Sequence, residues 1–184
     1  MLRKNDNGVL EVICGCMFSG KTEELIRVLK RAIIAKQKVL VFKHASDIRY
    51  SHEELYSHNG QKITSHLISN TKEIFSLDLD EVDVIGIDEA QFFSDDILEH
   101  VELLMEKGIR VIAAGLDLDY RRKPFGCMPQ LLAMANKVTK LSAICVQCND
   151  EAHYSQRLIH NNQIVLVGAA DSYEPRCRKH HKIT

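Results

Sequence analysis

The sequence predicts an α/β fold: a mostly parallel sheet flanked by helices, followed by a small C-terminal β-ribbon. Three observations predict it. Short apolar runs at residues 9–14, 38–43, 82–89 and 109–115 alternate with helical or polar stretches, which is the order of a βαβ chain. The centres of these runs are continuously apolar, as in strands buried on both faces. Past about residue 141 the chain turns to short strands and turns with no long amphipathic helix. The expected division is therefore residues 1–142 and residues 143–184, with the boundary near 141–144.

The first strand, 9–14, leads into GCMFSGKT at residues 15–22, a match to the phosphate-loop pattern G-x-x-x-x-G-K-[ST]. The helix after it is expected from Thr22 to Ala35, with Leu25, Ile26, Val28, Leu29, Ala32 and Ile33 on one face. Strand, glycine loop and helix together define a P-loop NTPase-like nucleotide site. Gly15 and Gly20 permit backbone that a Cβ would obstruct, so successive N–H groups line one concavity. The helix start adds its orphan N–H groups and positive dipole end. Lys21 supplies a charge for the β- and γ-phosphates, and the Thr22 hydroxyl is a magnesium ligand. Loop residues Met17, Phe18 and Ser19 complete the phosphate cradle.

The polar residues 1–8 are expected to fray. A second strand is expected over 38–43, then a long loop over 44–62 of functional or merely solvated character. A strand over 63–68 and a short helix capped by Ser69 or Asn70, running to Leu77, follow; Glu73 stands near the capping-box position. The strand over 82–89 ends in Asp88 and Glu89. Ser94 is the expected N-cap of the next helix, with Asp95 and Asp96 in its first turn, and that helix stops at Gly108.

An acid pair ending an apolar strand, downstream of a phosphate loop, reads as a Walker B segment. Asp88 then holds magnesium, usually through water, and Glu89 is placed to accept a proton as general base. The DEAQ tetrapeptide is also similar to the motif of helicases. One ATPase-sized domain and the lack of a basic stripe oppose that reading.

Cys145-x2-Cys148 and Cys177-x2-His180 are two halves of a tetrahedral zinc set. With His181 as an alternative fourth ligand, the set closes a ribbon too small for its own core, so the zinc is structural. Cys14, Cys16 and Cys127 read as small buried or loop residues. The other histidines read as surface or loop residues.

Bulk properties bound the function. The 184 residues are 45% hydrophobic and 27% charged, with net charge −1, values of an ordinary globular protein with no electrostatic drive towards nucleic acid. No run approaches a membrane span, and residues 1–8 lack a signal-peptide core. Six cysteines beside a nucleotide loop point to a reducing, cytoplasmic setting and to metal binding rather than disulfides.

The residues quoted so far, together with MFSGKT at 17–22, IDEAQFF at 87–93, GLDLDYRRKPFG at 115–126 and GAADSYEPRC at 168–177, resemble the compact, zinc-containing (type II) thymidine kinases of bacteria and the animal cytosol. The resemblance covers nearly the whole chain. It implies transfer of the γ-phosphate of ATP, with magnesium, to the 5′-hydroxyl of thymidine, and of deoxyuridine too. Glu89 would be the catalytic base, and Asp88 and Gln91 would join the ATP site. Asp47 and Arg49 match the family's Asp-x-Arg, with Arg49 near the transferred phosphate. A lasso over about 168–177 would bind the base through its backbone, with Tyr173 closing over it. Met17, Phe92, Leu116, Tyr120, Phe125, Ser155 and Leu166 match the rest of the nucleoside pocket. Ser155 stands where threonine is common. The family also implies a homotetramer inhibited by thymidine triphosphate. The competing reading is a P-loop ATPase that binds nucleic acid or a protein partner, or a zinc-ribbon module with a degenerate nucleotide site.

Overall fold

The computed structural model describes residues 8–46, 54–56, 62–159 and 172–183. Expectations for residues 1–7, Asp47, Arg49, His52, His58, His160, Leu166 and the lasso residues 168–171 lie outside the described residues.

The chain opens with strand β1 (Leu10–Gly15) and helix α1 (Lys21–Ile34). Then come β2 (Val39–His44), β3 (Glu54–Tyr56), β4 (Lys62–Thr64), β5 (His66–Ile68) and β6 (Val84–Asp88). Helix α2 (Asp96–Glu106), β7 (Arg110–Gly115), α3 (Met128–Met134) and β8 (Lys137–Leu141) follow. The six-stranded sheet has the order β5-β2-β6-β7-β1-β8, and every adjacent pair in it is parallel. The α/β reading of the sequence is correct.

Strand alternation divides the core into two layers. Ile13, Val41, Val84, Ile112 and Ala114 pack against Leu25, Ile26 and Leu29 of α1. Val12, Phe42, Ile85, Ile87 and Val111 pack on the other face against Ile97, Val101 and Leu104 of α2 and against Met128 and Leu131 of α3. Because side chains two apart share a face, Val84, Gly86 and Asp88 all point to the α1 layer. A Cβ on Gly86 would stand 2.8 Å from a Leu29 methyl carbon, so the helix lies close over β6. The site-bearing ends of β1, β2, β6 and β7 thus gather at one edge of the sheet, where ligands of open parallel sheets bind.

Several expectations change. Ile33 is 48% exposed, not part of the helix face; the buried stripe ends at Ala32. Part of the expected loop 44–62 is a hairpin, with β3 antiparallel to β4. The single strand expected over 63–68 is split at Ser65: its first half pairs with β3 and its second with β2. Asp95, not Ser94, occupies the cap of α2, and no side chain caps it; Ser94 contributes its carbonyl, which accepts from the Ile97 N–H at 3.1 Å. His44 and His100 are half-buried rather than surface residues. The His100 ring nitrogen Nδ1 lies 2.6 Å from the Thr71 hydroxyl.

The helix expected after residue 70 is a 3₁₀ segment, Thr71–Ser76. Asn70 caps it: its side chain accepts from the Lys72 N–H at 2.7 Å, and the Glu73 carboxylate accepts from the Asn70 N–H at 2.9 Å. Asn70→Ala removes one arm of this reciprocal cap and should cost about 1 kcal/mol. A fall in the urea midpoint with unchanged slope checks it; an unaltered midpoint would show that packing of Ile74 alone holds the segment.

Beyond Leu141 the described residues form four short strands: β9 (Ala143–Ile144), β10 (Glu151–Ala152), β11 (Tyr154–Arg157) and β12 (Tyr173–Arg176). They form two antiparallel pairs, β9 with β10 and β11 with β12. Their small apolar cluster joins Ala143, Cys145, Ala152 and Cys177 to Cys16 of the phosphate loop. The ribbon core and the loop are therefore in contact.

Candidate active site and metal centre

The loop after β1 has the backbone that the glycine pattern demands. Gly15 has φ 145°, Phe18 φ 65° and Gly20 φ 83°. A Cβ on Gly15 would come within 2.4 Å of the Leu141 carbonyl oxygen; only glycine lets β1 leave the sheet this close to β8. The Lys21 ammonium donates to the Cys16 carbonyl at 2.9 Å, and the Ser19 hydroxyl donates to the same oxygen at 2.8 Å. The cation is thus folded back over the loop it serves. Met17 is partly buried and Phe18 exposed on the outer side.

The Thr22 hydroxyl donates to Asp88 Oδ2 at 3.2 Å, so the two oxygen groups expected at magnesium come together from α1 and β6. Oxygen donors of this kind suit a hard divalent cation. Burial, then the neighbouring Glu89 carboxylate, push the Asp88 carboxyl up to about 7. A cation beside it would reverse that push.

Glu89 adopts φ 54°, ψ 41°, a left-handed conformation that costs a non-glycine residue about 1–3 kcal/mol. The kink ends β6 and turns Glu89 off the strand. The Asp88 side chain accepts the Glu89 N–H at 3.0 Å, and the Gln91 amide donates to Glu89 Oε2 at 2.6 Å. The carbonyl end of Gln91 accepts the Leu116 N–H at 2.9 Å. Gln91, expected at the ATP phosphates, therefore bridges Glu89 to the end of β7. Gly126, with φ 52°, lets the loop over residues 117–126 pack against the backbone of Gln91: a Cβ there would be 2.3 Å from the Gln91 main-chain carbonyl oxygen.

The expected nucleoside wall is brought together in two parts. Phe92 and Phe125 meet edge to face, with ring centres 5.9 Å apart. Tyr120 and Tyr173 both meet the Arg157 guanidinium, which stands 3.6 Å from the Tyr120 ring centre and 5.2 Å from that of Tyr173. Ser155, expected at the base, accepts the Met17 N–H through its hydroxyl at 3.0 Å. It ties the ribbon to the phosphate loop. The Cys16 thiol makes a second tie, donating to the Ala152 carbonyl at 3.2 Å.

Donor atoms of Cys145, Cys148, Cys177 and His180 all lie within 4.8 Å of one another. A tetrahedral zinc site has S···S edges of about 3.8 Å and S···N edges of about 3.6 Å, given its usual bond lengths. Cys148 Sγ and Cys177 Sγ are 3.7 Å apart, and His180 Nδ1 is 3.7 Å from Cys145 Sγ and 3.3 Å from Cys177 Sγ. The set fits zinc. The Cys145 thiol is brought down to about 6: burial resists ionisation, but backbone N–H groups of Cys177, Gln147 and Cys148 and the His180 side chain outweigh it. A thiolate is the ligand form zinc needs. His181, the alternative ligand, lies outside this cluster. Its Nδ1 accepts from Arg122 Nε at 3.0 Å, and its Nε2 faces the Ser155 carbonyl at 3.3 Å.

Sequence reasoning missed Arg157, Arg122 and His181 as contacts across the seam between ribbon and sheet. No spacing rule marks them. Cys14, Cys16 and Cys127 are all buried, as expected.

A parallel sheet with a phosphate loop after its first strand, a Thr–Asp pair for a cation and a kinked carboxylate define a nucleotide-dependent phosphoryl-transfer class. The family model for thymidine kinase matches residues 8–181, and the chain belongs to the thymidine kinase family. It is an enzyme, a kinase that phosphorylates thymidine in nucleotide salvage. Among the described residues, no helix is long and apolar enough to cross a membrane.

Proposed function

We propose that the enzyme transfers the γ-phosphate of ATP to the 5′-hydroxyl of thymidine, and of deoxyuridine as a second acceptor. The observation that carries this reading is the arrangement at the end of β6: Glu89, kinked off the strand, stands next to an Asp88 carboxylate already bonded to Thr22 of the phosphate loop. A proton acceptor is thereby placed beside a triphosphate site. Glu89 takes the proton of the 5′-hydroxyl as its oxygen forms a bond to the γ-phosphorus. The bond from that phosphorus to the β–γ bridging oxygen breaks, and its electron pair leaves with ADP. Lys21 exchanges its contact with the Cys16 carbonyl for the phosphate oxygens, and the loop N–H groups from Gly15 to Thr22 hold the β-phosphate. Thr22 and Asp88 would hold magnesium, which would supply charge neutralisation at the transferring group. Gln91 keeps Glu89 in place. Phe92, Phe125, Leu116, Met17, Tyr120 and Tyr173 form the nucleoside pocket, with Arg49 and Leu166 completing the phosphate and base contacts. Residues 143–184 act as the zinc-closed unit that carries one wall of that pocket.

Family membership also supports a cytoplasmic homotetramer subject to inhibition by thymidine triphosphate. The net charge of −1 supports the absence of stable nucleic-acid binding.

The test is incubation with γ-labelled ATP and each natural nucleoside in turn. Label in thymidine monophosphate, and at a lower rate in deoxyuridine monophosphate, is the expected result. Release of inorganic phosphate stimulated by DNA or RNA, with no labelled nucleotide product, would overturn it.

A further inference from the structure

Arg157 and Tyr173 form the last register pair of the β11–β12 ladder. One step further, the Leu158 N–H donates to the Ser172 carbonyl at 2.9 Å. The pair therefore closes the neck of the connecting segment 158–172. Both side chains are buried there, Arg157 to 2% exposure and Tyr173 to 9%. Arginine is almost never this buried without fixed partners, and this one is fixed on two sides. Its guanidinium carbon stands over the Tyr120 ring, 3.6 Å from the ring centre. Its Nε donates to the Tyr173 hydroxyl oxygen at 3.1 Å, and its Nη2 donates to the same oxygen.

The consequence is chemical. A phenol oxygen that accepts two N–H bonds has no acceptor capacity left, so its own proton must be donated. Among the described residues no acceptor takes that proton. A buried O–H without an acceptor is costly, and a ligand oxygen would relieve the cost. A lysine could not do this work: its point charge lacks the planar fork that stacks on one ring while bonding the hydroxyl of another.

We infer that Arg157 is a positioning residue for nucleoside binding: it pins Tyr173 at the neck of segment 158–172 and makes its hydroxyl an obligate donor to an oxygen of the nucleoside. The inference rests on the proposed reading that Tyr120 and Tyr173 belong to the nucleoside pocket. The receiving oxygen is a base carbonyl or the 3′-hydroxyl oxygen.

The test uses the full-length, zinc-loaded enzyme and the variants Arg157→Lys, Tyr173→Phe and the double variant. Each single variant should raise KM for thymidine about tenfold, the loss of one good hydrogen bond. KM for ATP and zinc content should stay unchanged. The double variant should be no worse than Tyr173→Phe, because the arginine acts through the hydroxyl. The penalty of Tyr173→Phe should vanish with one of 2-thiothymidine, 4-thiothymidine or 3′-deoxythymidine, which identifies the oxygen. An undiminished penalty with all three would overturn the donor role. Additive penalties, or equal rises in both KM values, would mark Arg157 as merely structural. If Arg157→Lys does not fold, Tyr173→Phe decides alone, and a wild-type KM for thymidine there overturns the inference. Failure of the wild-type enzyme to phosphorylate any nucleoside would instead sink the proposed function.

Discussion

Glu89→Gln should reduce turnover of thymidine by roughly 10²- to 10⁴-fold, the usual contribution of a positioned general base, while leaving ATP affinity nearly intact. The substitution preserves shape and removes the carboxylate's charge together with its capacity to accept a proton. Gln91, which donates to Glu89 Oε2, can donate equally to an amide oxygen, so the kink after β6 should survive. The competing explanation for a loss is damage to the magnesium site one residue away. The sign of the electrostatics separates the two. The Glu89 charge is one of the causes that push Asp88 up. Removing that charge makes Asp88 more acidic and a better anion for a cation. A metal defect would be rescued by added magnesium, whereas loss of the base would not. Measured kcat, ATP binding and a magnesium titration on the variant check this. Wild-type kcat, or full rescue by magnesium, would remove Glu89 from the role of base.

What the sequence made legible was whatever is local. The run before Gly15, the loop and α1 are contiguous, and their signals of glycine placement and helical period need no distant partner. The acid pair after an apolar strand is local too, and the structure brings Asp88 to Thr22 across 66 positions. The two metal half-sites were readable because C-x2-C and C-x2-H each fix a turn. Other elements carried weaker signals. Helix α3 has seven residues, too few for an amphipathic pattern, although Pro129 near its start was a cue. Strand β8 alternates Lys137, Thr139 and Leu141 with Val138 and Lys140 and is largely exposed; an edge strand lacks the continuous apolar centre that revealed the others. The β3–β4 hairpin consists of two three-residue strands that exist only through each other. Least legible was the seam, where Ser155 meets Met17 at a separation of 138 residues and Arg122 meets His181 at 59. Such pairs have no periodicity, and a lone Ser or Arg in a polar stretch looks like surface.

That seam governs the second large effect. Cys148→Ser should remove most of the bound zinc and lower the melting temperature by roughly 10 °C or more, since a few kcal/mol shift a chain of this size by about 2–4 °C each. Cys148 is exposed, so its truncation leaves no cavity, and the loss reports ligation rather than packing. The damage should then travel. Cys145 and Cys177 share a cluster with Cys16, and the ribbon holds the phosphate loop through Ser155 on the Met17 N–H and through Ala152 on the Cys16 thiol. A loosened ribbon releases both ties, so KM for ATP should rise together with KM for thymidine. This joint rise differs from the thymidine-only effect expected of Arg157→Lys. His181→Gln tests the assignment of the fourth ligand: its ring nitrogens face Arg122 and Ser155, so zinc per chain should stay at the wild-type value. Metal analysis and thermal unfolding of both variants decide the matter. Unchanged zinc in Cys148→Ser, or lost zinc in His181→Gln alone, would show that the ribbon is closed by a different set of ligands.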